Sequence, residues 1–140
     1  MLNANNTGGA DVFMKFLETK IFKFIDEKYP NLGINRGLIG HSYGGLFSFH
    51  IMQQRPKLFS NYIIISPSLW WNKSELLDKE FFKEFKENGL TNNIYLSYGS
   101  LESKLITKAN LEMDTILRHL EKEQLNYQFF LAIQNSLEKT

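Results

Sequence analysis

Ser42 lies between two glycines at fixed spacing, in Gly40-His41-Ser42-Tyr43-Gly44. A short apolar strand, Gly37–Ile39, is predicted before it, and a helix from about Tyr43 to just short of Pro56 after it. Gly-x-Ser-x-Gly in that context is a nucleophile elbow. Its serine must occupy a sharp, strained strand-to-helix turn, so that the hydroxyl stands clear of the sheet edge. Glycines two before and two after it are expected to let strand and helix close in without Cβ clashes.

A serine hydroxyl is inert at its own pKa until a nearby base takes its proton and a third group orients that base. The backbone N–H of Tyr43, opening the helix, is the expected oxyanion donor, with the Tyr43 ring lining the pocket. Glu102 is the expected acid. It follows a predicted strand in a short loop, at the sheet edge where open α/β folds bind ligands, and has its place in the chain order Ser, acid, His. Glu75 and Asp78 are the alternative acids, set in a predicted surface helix.

The base is harder to assign. His41 adjoins Ser42, but the turn sends neighbouring side chains apart, so it is expected to pack beside the strand at the pocket margin. His50 would lie about 12 Å along the helix at 1.5 Å per residue, and His119 flanks the inner face of the last helix. After the last predicted strand, Gln134–Thr140 contains no histidine. Three dispersed histidines offer no metal-ligand spacing, so no metal site is expected. Trp70 and Trp71 are candidates for a pocket wall, with core packing as the alternative.

These groups need elements to hold them. Asp11 is expected to cap a helix through about Lys28, with Val12, Phe13, Phe16, Leu17, Ile21, Phe24 and Ile25 on one face. Tyr62–Ser66 is a β-branched run read as a buried parallel strand. Ser74 would cap a helix over about Glu75–Glu87, followed by a strand at Asn93–Tyr98. A helix over about Ile106–Lys122 and a strand at Tyr127–Ile133 complete the series. Alternating helices and strands imply a parallel sheet joined by right-handed crossovers, in one domain spanning 1–140. Successive crossovers in one direction put the helices on one face of the sheet. The other face, and the edge of the first strand, then call for cover from a second copy or further polypeptide.

Composition narrows the function. The 140 residues are 43% hydrophobic and 22% charged, with twelve phenylalanines, which is a globular balance. A formal net charge of +1 gives no reason to expect nucleic acid or an anionic membrane as partner. Without cysteine, disulfides and thiolate catalysis are excluded. No apolar run approaches the roughly 20 residues of a membrane span, and the first residues lack the pattern of a signal peptide. The expectation is a soluble chain, the cytoplasm slightly favoured.

The stretches TGGADVFMKFLETKIFKFIDEKYP, GLIGHSYGGLF, LFSNYIIISPSLWWN and YLSYGSLE together make the chain similar to esterases of the α/β-hydrolase superfamily. It resembles the esterase D-like branch that includes enterobactin and salmochelin esterases. The resemblance covers essentially residues 7–133. It implies a partial α/β-hydrolase fold of about four parallel strands, lacking the family's N-terminal strands and its C-terminal His segment. It also implies cleavage of siderophore or other acyl esters without a cofactor, Ser42 matching the nucleophile, the Tyr43 amide an oxyanion donor and Glu102 the acid. Where family members carry a Glu-Asn-His-Gly-like segment, Ile133-Gln134-Asn135-Ser136 stands here. Two other readings compete: a catalytically inactive remnant acting by binding or assembly, and a flavodoxin-like domain. The last is disfavoured by the want of a Gly-rich phosphate loop or an acidic cluster at the strand ends.

Overall fold

Four strands lie side by side in chain order, all parallel. The structure is a computed structural model that describes residues 8–33, 35–77, 92–121 and 125–133. Its contacts divide into two compact units, Met1–Asn35 and Arg36–Thr140.

In the first unit, α1 (Ala10–Phe16) passes through a wider π-type stretch (Leu17–Phe22) into α2 (Lys23–Lys28). Asp11 is not the cap. The cap position is two residues earlier, at Gly9, whose carbonyl accepts from the Phe13 N–H at 2.9 Å. Asp11 instead sits in the first turn, where a negative charge complements the helix dipole. The expected apolar face is kept only in part: Val12, Phe13, Phe16 and Phe24 are exposed, while Met14 is buried and Leu17, Ile21 and Ile25 are half-buried. These latter four fall at three- and four-residue steps, so the period held, with Leu17, Ile21 and Ile25 kept from the expected face and Met14 in place of Val12, Phe13 and Phe16.

The second unit holds β1 (Gly37–His41), α3 (Tyr43–Gln54), β2 (Asn61–Ile65), β3 (Asn93–Gly99), α4 (Lys104–Glu121) and β4 (Asn126–Ala132). The helix α3 packs on β1 and β2, and α4 on β3 and β4. Strand side chains alternate between faces, and the described helices of this unit cover one face. Tyr62, Ile64, Ile94, Leu96 and Tyr127 are buried with Phe49, Ile51 and Met52 of α3 and Met113, Leu117 and Leu120 of α4. On the opposite face Ile39 is 70% exposed, Ile63 41% and Phe130 56%. Thus β2 is not buried on both sides as its unbroken apolar run suggested. Helices on one face of a four-stranded parallel sheet form a partial α/β-hydrolase core.

Register is marked at the N-terminal edge. Asn61, Asn93 and Asn126 occupy matched positions on neighbouring strands. Asn93 Nδ2 donates to Asn61 Oδ1 at 2.7 Å, and Asn126 Nδ2 to Asn93 Oδ1 at 3.0 Å. Beneath the sheet, the buried Asp114 of α4 accepts from the Tyr127 hydroxyl at 2.6 Å and from Arg118 Nε at 3.1 Å.

The segment Trp71–Leu77 is a tight helical stretch, with Asn72, Lys73 and Ser74 at left-handed dihedrals. Ser74 therefore lacks the extended backbone of the helix cap expected of it. The remainder of the expected Glu75–Glu87 helix lies outside the described residues. Among the described residues, no helix is long and apolar enough to cross a membrane.

Candidate active site

Ser42 follows the last residue of β1 and precedes the first of α3, with φ 55° and ψ −116°. A positive φ at a residue with a Cβ is uncommon and is held only where its surroundings over-determine it. Three backbone bonds do so here. The Ser42 N–H donates to Ile65 O at 3.0 Å, and Ser42 O accepts from the Leu46 N–H at 3.0 Å and the Ser68 N–H at 3.1 Å. A Cβ at Gly40 would lie 2.3 Å from Gly44 O and 2.6 Å from Ser48 Oγ, so strand and helix could not meet with a larger residue there. The expectation for Gly44 needs correction: a Cβ there would meet nothing within 4 Å. The second close approach is at Gly45, whose Cβ would come within 2.8 Å of the Pro67 Cβ.

Parallel register brings several strand ends to one edge. His41 pairs with Ile65, and Ile65 with Ser97, so Ser42, Ser66 and the loop after β3 share the C-terminal edge. Glu102 lies in that loop. One of its carboxylate oxygens accepts from the Ser66 hydroxyl and, at 2.9 Å, from the Gly99 N–H. Ser66 has φ 44°, and its N–H donates to Ser97 O at 2.7 Å. The alternative acid Glu75 accepts instead from the Asn72 side-chain amide; Asp78 lies outside the described residues.

Tyr43, Trp70 and Trp71 form an aromatic cluster beside the elbow. Tyr43 meets Trp71 edge-on at 5.5 Å between centroids and Trp70 at 6.5 Å, and the two indoles lie 5.9 Å apart. The Tyr43 N–H, at the first helical position, has no acceptor within the helix.

Imidazole is not brought to the serine by the described residues. His41 is exposed, and strand alternation turns it away from Gly40 and α3. His50 is half-buried on α3 and His119 exposed on α4. Among the described residues, Ser42 Oγ is hydrogen-bonded to Ser68 Oγ, at 3.2 Å.

Ser66 and Ser68 were missed by sequence reasoning. The signal existed: a loop leaving the strand next to the elbow strand must pass the nucleophile, and SPSLWW carries two hydroxyls there. Asn110 was missed as well, because a polar residue on the inner face of α4 breaks the periodicity. It is fully buried, and its Nδ2 donates to Pro67 O at 3.1 Å and Ile106 O at 2.9 Å.

Residues 1–131 match the sequence family described as "Putative esterase". Over 99 residues the chain is 38% identical to the siderophore triacetylfusarinine C esterase of Aspergillus fumigatus, covering 68% of this chain and 34% of that protein. Over 105 residues it is 35% identical to the ferri-bacillibactin esterase BesA of Bacillus subtilis, covering 74% and 36%. The solved structure of the BES protein from Bacillus cereus is similar with a TM-score of 0.83 at 31% identity, over 92% of this chain and 50% of that one. The chain thus spans about a third of the length of these curated relatives and half of the solved one.

Proposed function

This chain belongs to the putative esterase family, and from that premise we propose that it is a serine carboxylic-ester hydrolase with Ser42 as nucleophile. The observation that carries the reading is the Ser42 backbone, φ 55° and ψ −116°, between a parallel strand and a helix. In the proposed step, Ser42 Oγ bonds to the ester carbonyl carbon while its proton passes to a base. The Tyr43 N–H donates to the developing oxyanion. The tetrahedral intermediate collapses, the alcohol leaves with the proton from the base, and water then cleaves the acyl-serine by the same route. Glu102 is the proposed acid that orients the base, which this reading draws from outside the described residues.

Tyr43, Trp70 and Trp71 would form the wall against which the substrate packs, with His41 at its margin. The substrate class is a siderophore or other acyl ester, a choice supported by the names of the curated relatives. No metal or organic cofactor is called for. A partner copy or further polypeptide over the bare sheet face belongs to the same proposal.

Exposure of the chain to a fluorophosphonate probe, followed by peptide mass mapping, tests the reading. The expected result is an adduct on Ser42 that disappears in Ser42→Ala. A second reading, a catalytically inactive remnant with a binding or structural role, is favoured by one observation. Ser42 Oγ and the Glu102 carboxylate bond to Ser68, Ser66 and Gly99, and to no imidazole among the described residues. Absence of any adduct would decide for it.

A further inference from the structure

We propose that Ser68 is a positioning residue for Ser42, its hydroxyl holding the nucleophile in one rotamer and donating to Ser42 Oγ as that oxygen loses its proton. The inference rests on the ester-hydrolase reading and adds a residue to it.

Ser68 is 4% exposed, so water competes little for its hydroxyl. A buried hydroxyl is costly unless bonded, and among the described residues the partner of Ser68 Oγ is Ser42 Oγ, at 3.2 Å. A serine hydroxyl can otherwise occupy three staggered wells. Two contacts between the same residues restrict this one, because the Ser68 N–H also donates to Ser42 O at 3.1 Å.

The loop that carries Ser68 is itself braced from three sides. Asn110 Nδ2 of α4 donates to Pro67 O, Ser66 bonds Ser97 O and Glu102, and Gly45 leaves room for Pro67 against α3. The Ser68 oxygen therefore has little freedom to follow Ser42 if that side chain turns. While Ser42 keeps its proton, either hydroxyl can donate to the other. Once the base removes that proton, Ser42 Oγ can only accept, and the Ser68 O–H becomes the donor while keeping its own proton. A hydrogen bond to a charged oxygen is stronger than one between neutral groups, so the contact strengthens as the nucleophile forms.

The test is the rate at which a fluorophosphonate labels the chain. Ser42 Oγ bonds to phosphorus, fluoride leaves with the P–F electron pair, and the hydroxyl proton passes to the base. Ser68→Ala should label roughly 10- to 100-fold more slowly, with the midpoint of its pH–rate profile unmoved, because the base and not Ser68 sets it. Ser68→Thr, which keeps a hydroxyl, should recover most of the rate, and Ser68→Cys, a weak donor, should not. The Thr and Cys pair decides the matter even if the alanine variant fails to fold. Equal rates across the set would overturn the role of Ser68 while leaving the esterase reading standing. A wild-type chain that never labels would instead overturn the esterase reading. A crystal structure of Ser68→Ala, or of Ser68→Cys, then decides positioning separately. Ser42 Oγ spread over more than one rotamer supports it, and one unchanged rotamer overturns it.

Discussion

A methyl group at position 40 would be forced onto backbone: 2.3 Å from Gly44 O and 2.5 Å from Gly44 C. Neither atom belongs to a flexible side chain, so β1 and α3 would have to part. Gly40→Ala should lose about 3 kcal/mol, near the upper end of overpacking costs, as read by urea denaturation. Gly44→Ala should do the reverse. Its Cβ meets open space on a helix, and the unfolded chain loses freedom, for a gain of up to about 1 kcal/mol. Equal losses from the two substitutions would mean that the motif's glycines do not divide the work in this way. At this scale the places of Ser42, Tyr43 and Glu102 at the C-terminal edge of the sheet were legible, because residue type, spacing and chain order constrain them together. Gly45, Ser66, Ser68 and Asn110 were not, since what gives them their roles is the approach of a loop from the neighbouring strand.

Each described strand was anticipated to within two residues, because β-branched and aromatic runs bounded by turn residues leave little freedom for the boundaries. In the first unit the expected apolar face failed ahead of the wider stretch: Val12, Phe13 and Phe16, all before Leu17, are exposed, and Met14 is buried in their place. On β2, Tyr62 is buried with its ring edge-on to Phe59 at 6.0 Å, and its hydroxyl is buried without a partner among the described residues. Burial pushes the Tyr62 phenol well above its ordinary value of 10.0. A raised folded value means that stability is full below pH 10 and is lost as pH rises from there, because the unfolded phenol can ionise and the folded one resists. Tyr62→Phe should therefore lie at or above wild type in stability near pH 7. Its advantage should widen between pH 10 and 11, measured as urea midpoints. A constant difference across that range would show that Tyr62 ionises alike in both states.

At the scale of the whole molecule, the described helices of the second unit lie on one face of the sheet and exposed isoleucines on the other. Ile39, Ile63 and Ile65 occupy neighbouring strands, with Phe130 further along the sheet. Apolar patches of this kind mark sites that bind something, so the isolated chain is expected to self-associate. Replacing Ile39 and Ile63 together by lysine should weaken that association at least about tenfold, equivalent to about 1.4 kcal/mol, in sedimentation equilibrium. A wild-type chain monomeric at high concentration would argue that this face is covered differently. One-sidedness could be read from chain direction alone, since successive crossovers of one hand deposit their helices on the same side.

Because β2, β3 and β4 each pair with the described strand made just before it, these four strands need no distant segment to pair with one another. During synthesis, β1 and β2 could dock as soon as both have left the ribosome, shaping the bend at Ser42 before the C-terminal part has been translated. Growth of this vectorial kind keeps each newly added edge open only until the next strand arrives.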